Sequence, residues 1–256
     1  MDVVVCCKLV PDLVEELEVN EAGTDLDWAA VRWVLNEFDD HALEEALLLK
    51  ESTGARVTVL VPEADGAEEV LYTALAKGAD RAVRLTGLPP GAGSRALAVA
   101  FSRVLPSVGY DLILTGVQAV DDVDGQVGGL LAGMLGLPYV GVVTGVQVDW
   151  QVHKAVVRKE YAGGVVEELE VDLPAVLGIQ SAQKPPRYAP VSKVRQLMRE
   201  GKAEALPAEL PAVPRAAVRR VFRPQTDRRA QILEGPAEQA AAQLVAILEE
   251  RGLLRR

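Results

Sequence analysis

The stretch Gln118-Ala119-Val120-Asp121-Asp122-Val123-Asp124-Gly125-Gln126-Val127-Gly128-Gly129 places three carboxylates and three glycines directly before an apolar run. Glycine lets a backbone approach a ligand closely, and the opening turn of a helix offers N–H groups without intrahelical partners to an anion. Residues 115–133 contain no Lys or Arg. A phosphate held there would rest on amides and the helix dipole, with any cation supplied from elsewhere. The same residues also fit a simpler role, in which Asp124 caps the helix and Asp121 and Asp122 favour its positive end. Two sharper phosphate signatures are absent: there is no G-x-x-x-x-G-K-[ST] and no G-x-G-x-x-G after a strand.

Other reactive residue types offer little. His41 and His153 are the two histidines, and neither has a second histidine or a cysteine at ligand spacing, so both read as structural. Cys6 and Cys7 are adjacent in an apolar run, so their side chains leave a strand on opposite faces, which excludes a disulfide framework; neither belongs to a C-x-x-C pair. Asp121 and Asp122 are paired carboxylates, yet neighbours on a loop generally cannot address one bond together. No nucleophile with an obvious base is visible.

The elements that must position this loop follow from periodicity. Short β-branched runs alternate with helical patterns: a strand at 3–7, a helix at 39–50, then strand 56–61, helix 67–77, strand 81–85, helix 95–105, strand 111–114 and a helix at 126–135 stopped by Gly136 and Pro138. Continuous apolar strands between amphipathic helices imply a doubly wound, mostly parallel α/β sheet covered on both faces. In such a sheet ligands bind at the carboxyl ends of strands, near the point where strand order reverses. Three segments meet that criterion: Cys6–Lys8, the turn Asn36-Glu37-Phe38-Asp39, and the glycine loop. Beyond Pro138, runs at 140–148, 152–158, 165–171 and 175–179 read as an antiparallel hairpin region rejoining the sheet edge. Residues 185–236 hold 8 of the 15 prolines and read as an extended arm. A terminal helix at 236–251 carries one apolar stripe of Ala240, Leu244, Ile247 and Leu248. Two regions result, an α/β domain at 1–183 and an arm with its helix at 184–256.

Charge divides along the same line. Residues 1–183 carry 12 Lys/Arg against 29 Asp/Glu, a net of −17, whereas residues 184–256 carry 15 against 8, a net of +7. The basic tail lacks an aromatic-studded surface and the acidic body would repel phosphate backbones, so protein contact is expected rather than nucleic acid. The acidic connection 15–27 reads as a solvated excursion or a face for a partner. With 256 residues, 49% of them apolar, no disulfide or metal is needed to support a core. The absence of a ~20-residue apolar run and the early Asp2 point to a cytoplasmic protein without membrane insertion.

Five separated motifs carry a resemblance. Asn36-Glu37-Phe38-Asp39, the run Thr73 to Arg81, Thr115-Gly116-Val117-Gln118-Ala119-Val120-Asp121-Asp122 with Gln126 and Gly128, Leu173-Pro174-Ala175-Val176, and Pro186-Arg187-Tyr188 occur in an order and spacing similar to those of the β subunit of electron transfer flavoprotein. The resemblance spans nearly the whole chain. It implies an electron carrier without its own substrate turnover, in a heterodimer whose α subunit holds most of a redox-active FAD, while the β subunit holds a structural AMP. Electrons would pass from flavin dehydrogenases, such as those acting on acyl-CoA in fatty-acid oxidation, to a quinone reductase. Two alternatives stay open: an electron-bifurcating relative with a second FAD in place of AMP, and an adenine-nucleotide hydrolase or sensor on the same fold.

Carried over by motif, the AMP site comprises Cys6, Asn36, Glu37, Phe38, Asp39, Pro62 and the run Asp122, Val123, Asp124, Gly125, Gln126, Val127, Gly128, Gly129, Leu130, Leu131, Ala132 and Gly133. Phe38 corresponds to an aromatic residue that leans on the FAD ring system from the β side; it also fits a hydrophobic staple at a helix entry. Arg187, Tyr188, Ala189, Pro190, Val191, Ser192, Lys193, Val194, Arg195 and Gln196 correspond to a recognition loop that docks on dehydrogenases. This chain departs from the family pattern there, with Val191 where a leucine commonly anchors and Ser192 where proline usually follows. A second departure is Leu13, where some members place an aromatic residue beside the flavin.

Overall fold

The computed structural model describes residues 1–89, 91–208, 218–224, 230 and 232–254. In chain order the elements are β1 (Asp2–Cys6), β2 (Leu9–Pro11), β3 (Trp33–Leu35), α1 (Glu37–Thr53), β4 (Arg56–Pro62), α2 (Ala67–Lys77), β5 (Arg81–Thr86), α3 (Ser94–Val108), β6 (Leu112–Gly116) and α4 (Gln126–Leu135). They continue with β7 (Tyr139–Asp149), β8 (Lys154–Tyr161), β9 (Val165–Asp172), β10 (Ala175–Ile179), α5 (Val191–Glu200), β11 (Glu204–Pro207) and α6 (Ala237–Glu250). Nine strands form one sheet in the order β11-β5-β4-β1-β6-β10-β7-β8-β9, and β2 pairs with β3 in a small antiparallel hairpin.

The period of two along β1 explains the layers. Val3, Val5 and Cys7 face a core shared with Leu43 and Leu47 of α1 and Leu71 and Ala74 of α2. Val4 and Cys6 face the opposite core, with Leu97, Phe101 and Leu105 of α3 and Leu131 of α4. Strands buried on both faces read as near-continuous apolar runs, and β1, β4 and β6 do, with Thr58 and Thr115 as the buried polar residues within them. Parallel pairing extends from β11 to the first part of β7, and β8 and β9 add antiparallel strands at the far edge. The chain therefore steps from β1 outward to β4 and β5, then returns through α3 to place β6 on the other side of β1. The strand order reverses between β1 and β6, whose residues Cys6 and Thr115 lie in register at the carboxyl end.

The C-terminal segment departs from an extended arm. Residues 191–200 form α5, which packs on α2 through Val194 and Ala189 against Tyr72 and Ala76. Residues 204–207 extend the sheet beside β5, where Arg81 donates to both oxygens of Glu204 at 3.1 and 2.9 Å. The prolines that suggested an arm flank these elements instead of interrupting them: Pro185, Pro186 and Pro190 precede α5, and Gly201 closes it in the left-handed conformation. Prolines 211 and 214 lie outside the described residues. Two carboxylates on α1 anchor the start of this segment. Buried Glu45 accepts from the Val146 and Gln183 backbone N–H groups at 2.9 and 3.0 Å, and Glu44 accepts from the Arg187 guanidinium at 2.8 Å. Burial opposes the Glu44 charge, and Arg187 overrides it to hold the carboxyl below its ordinary range.

Candidate functional site

The ends of β1 and β6 are joined by one carboxylate. Asp39, in the first turn of α1, accepts from the Lys8 backbone N–H at 2.8 Å and from the Gly116 N–H at 2.7 Å. Gly116 is required for that approach, because a Cβ there would lie 2.6 Å from Asp39 Oδ1 and 2.7 Å from Phe38 Cβ. Complete burial pushes the Asp39 carboxyl up to about 7 against the pull of these two amides and the Asn36 side chain. Buried Asn36 donates from Nδ2 to the Gln118 carbonyl at 2.9 Å, and its own N–H donates to the Lys8 carbonyl at 3.0 Å. The turn 36–39 thus fixes both strand ends and the start of the glycine loop.

The cation missing from residues 115–133 comes from the end of β1. Lys8 Nζ lies 2.7 Å from Asp121 Oδ1 and 2.7 Å from Asp122 Oδ2. Burial pulls the ammonium down, and the hydrogen bonds and charges of the two aspartates outweigh it, leaving Lys8 above its ordinary value. The Ser94 hydroxyl, at the start of α3, lies 2.8 Å from Asp122 Oδ2 and 2.9 Å from Asp124 Oδ1. Burial likewise opposes charge on Asp122, and Lys8 overcomes it to hold the carboxyl low. Asp124 also accepts from the Gln126 N–H at 3.2 Å, but the cap position of α4 is Gly125, so Asp124 satisfies one free N–H of the helix from the residue before its cap. Between them Val123 is held at φ 54°, a conformation that costs a β-branched residue.

These groups surround a cleft of about 340 Å³ at the reversal of strand order, lined by Cys6, Lys8, Asn36, Asp39, Thr115, Gly116, Asp122, Asp124, Gly125, Gln126 and Val127 among others. Thr115 is 1% exposed and its Oγ1 has no hydrogen-bond partner. It faces the first turn of α4, where a Cβ on Gly128 would come within 2.8 Å of that oxygen. A second hollow of about 780 Å³ shares Lys8 and Leu97 with the cleft and is walled by Trp28, Trp33, Pro62, Leu88 and Ala92. Trp28 and Trp33 stack with centroids 5.2 Å apart. The donor set suits a nucleotide: glycine-freed amides at a helix start, an orphaned buried hydroxyl and an aromatic-walled hollow next to them. Among the described residues no group of three or more His, Cys, Asp or Glu is placed to hold a metal ion.

The structure distributes the expected nucleotide contacts. Cys6, Asn36, Asp39, Asp122, Asp124, Gly125, Gln126 and Val127 meet at the cleft, whereas Pro62 lines the neighbouring hollow. Gly128 is buried beside Thr115, and Gly129 and Leu130 are half-buried. Leu131 and Ala132 face the core, while Glu37, Val123 and Gly133 are exposed. Phe38 is half-buried against Gly116. Ser94, Trp28 and Trp33 are absent from the sequence reading of the site, Lys8 enters it only as the end of the segment Cys6–Lys8, and Thr115 only as the start of a resemblance motif. The stretch without Lys or Arg signalled that a distant cation was needed, but the partner of Asp121 and Asp122 lies 113 and 114 positions away.

In the recognition segment Arg187 is pinned by Glu44 and by Glu51 at 2.5 Å, and Lys193 Nζ donates to the Ala76 carbonyl at 2.9 Å. Ala189 and Val194 are buried, whereas Tyr188 is 78% and Val191 53% exposed. Pro190, Ser192, Arg195 and Gln196 are exposed as well. His41 accepts from the Ala182 N–H through Nδ1 at 3.2 Å, a structural contact. Cys6 and Cys7 are free and fully buried; burial first, and the Asp39 charge second, push both thiols well up, which makes them poor nucleophiles. Among the described residues no helix is long and apolar enough to cross a membrane.

Residues 26–215 match the family described as electron transfer flavoprotein domain. The chain is 34% identical to electron transfer flavoprotein subunit beta of Methylophilus methylotrophus, with 98% of each chain covered. It is 37% identical to the subunit beta of Clostridium acetobutylicum, over 76% of this chain and 74% of that one. The mitochondrial subunit beta of Oryza sativa subsp. japonica is 34% identical over 76% of this chain and 77% of its own.

Proposed function

The chain belongs to the electron transfer flavoprotein family, as a relative of its β subunits, and we propose that it acts in the cytoplasm as the β subunit of a heterodimeric electron carrier, binding AMP in the cleft between β1 and β6. The observation that carries the nucleotide reading is the position of that cleft. It lies where the strand order reverses, with the opening turn of α4 on one side and Cys6, Asn36 and Asp39 on the other. The phosphate would meet amides of the first turn of α4. The AMP has a structural role, tying the acidic loop to the strand ends, and the chain itself turns over no substrate.

FAD, held chiefly by the α subunit, supplies the electron-carrying chemistry. Toward it this chain would contribute Phe38, whose ring excludes water from one side of the flavin and so limits solvation of the reduced charge. The α subunit would be gripped by α6, of which no residue is buried and whose Leu244 and Val245 are about half exposed. The segment 187–196, rigidly anchored through Arg187 and exposing Tyr188 and Val191, would meet the flavin dehydrogenases. Electrons then pass on to a quinone reductase.

Co-expression with an α subunit tests this reading. It predicts a yellow complex that releases one FAD per heterodimer and is reduced by an acyl-CoA dehydrogenase with its substrate. A second reading draws on the aromatic-walled hollow beside the cleft, which shares Lys8 and Leu97 with it. In that case the β site would hold a second, bifurcating FAD, and two FAD would be released per heterodimer. A colourless β chain that never associates with an α subunit would contradict both.

A further inference from the structure

We propose that Thr115 is a specificity-determining residue of the cleft, its hydroxyl donating a hydrogen bond to a phosphoryl oxygen of the bound mononucleotide. The proposal rests on the nucleotide reading above. Among the described residues, the buried side-chain polar atoms without a partner are Arg84 Nε, Thr115 Oγ1 and Trp150 Nε1, and of these three residues Thr115 lines the cleft. Burying a hydroxyl unpaired carries a penalty that a valine of the same shape would not. A hydroxyl in that state gains its missing bond when a ligand supplies an acceptor.

The surroundings define the acceptor. Thr115 stands against the opening turn of α4, close enough that any side chain at Gly128 would collide with its oxygen at 2.8 Å. Backbone N–H groups of a first helical turn and the helix dipole converge on an anion at such a place. Lys8 lines the cleft, but its Nζ is engaged at 2.7 Å by Asp121 and Asp122, and Asp122 and Asp124 line the same cleft. A neutral O–H adds a bond to a phosphate without carrying a charge that these carboxylates would capture. Cys6, the register partner of Thr115 on β1, leaves the hydroxyl without a strong acceptor on that side.

The test compares Thr115→Val and Thr115→Ser with wild type in the nucleotide-depleted full chain, titrated with AMP and with adenosine. Loss of a hydrogen bond to a charged group predicts roughly 10- to 100-fold weaker AMP binding for Thr115→Val, with adenosine affinity unchanged. Thr115→Ser retains AMP affinity within about 3-fold, since its hydroxyl is kept. The ligand-free Thr115→Val chain melts at or above the wild-type temperature, because an orphaned polar atom has been removed. AMP affinity equal to wild type in Thr115→Val overturns the assignment and leaves the nucleotide reading standing. An equal loss for AMP and adenosine overturns the phosphoryl contact, and a lower melting point of the ligand-free variant shows that the hydroxyl has a partner inside the protein. A wild-type chain that folds but binds neither compound removes the nucleotide reading itself, and this proposal with it.

Discussion

At the carboxyl ends of β1 and β6, Lys8, Asp39, Ser94, Asp121 and Asp122 find partners within the fold at 2.7–2.8 Å, and Thr115 Oγ1 is left over. In α6 the position is inverted: its 14 residues include none that is buried, and its apolar side chains are what is left over. The first region lacks a small acceptor inside a closed polar frame, which is the condition for a small-molecule ligand. The second lacks apolar cover on an open surface, which is the condition for another protein. Charge joins the two parts of the chain, since Arg187 and Arg223 of the basic tail pair with Glu44, Glu51 and Glu16 of the acidic body.

The sharpest way to break this contrast is to open the frame. Lys8→Met leaves Asp121 and Asp122 without their cation in a partly buried site. It should lower stability by about 2–4 kcal/mol in urea denaturation, and bound nucleotide should fall with it. A loss below about 1 kcal/mol would mean that the two carboxylates are hydrated and the frame is not closed.

Asp39→Asn acts next. Its amide can accept from one of the two N–H donors and presents an N–H₂ to the other, so about 1–3 kcal/mol should be lost near neutral pH. The same variant isolates a pH effect. The Asp39 carboxyl ordinarily titrates near 3.8 and is pushed by burial to about 7 in the fold. Between these values the folded chain keeps a proton that the unfolded chain has released. The favourable contribution of this group is therefore complete below the ordinary value and fades as pH rises toward 7. Glu44, Asp80 and Asp122 are held low and contribute in the opposite sense, losing their share as pH falls. Subtracting the Asp39→Asn stability curve from that of wild type should leave a difference that declines across this window. A flat difference would show that Asp39 is not perturbed.

On the outward side, Val191→Leu enlarges a half-exposed apolar anchor by one methylene. It should tighten docking of a donor dehydrogenase by about 0.8 kcal/mol, read as a fall of roughly 4-fold in the dehydrogenase concentration giving half-maximal rate. The fold should be untouched, and an unchanged half-maximal concentration would argue that the docking surface lies elsewhere. Deleting residues 236–256 should be the gentlest change to the chain by itself, within about 0.5 kcal/mol, since α6 buries nothing in the body. The same deletion should abolish capture of the α subunit. A large loss of stability without the partner would place α6 on the body after all.

Much of this arrangement was legible in advance for stated reasons. The doubly wound order could be read because β1, β4 and β6 are buried on both faces and so read as apolar runs broken only by Thr58 and Thr115. The limits of α2, α4 and β10 agree with the sequence reading because Gly78, Gly136 and Pro174 mark their ends. The short β2 and β3 were missed, since three residues carry no period. α5 was hidden by the prolines that flank it, although Val194, Leu197 and Gly201 held the helical spacing and the stop. At the site, glycines and acids along one loop were visible because they are neighbours in sequence. The Lys8 clasp was invisible because it joins residues 113 and 114 positions apart, and the orphan state of Thr115 is a property of packing alone.

The central claim, that the cleft between β1 and β6 holds a mononucleotide, is tested most directly by denaturing the purified protein and identifying what it releases by mass spectrometry and anion-exchange chromatography. The account predicts AMP at about one mole per mole of chain, as one ligand in one preformed site. Release of no nucleotide from folded, partner-bound chain would contradict it.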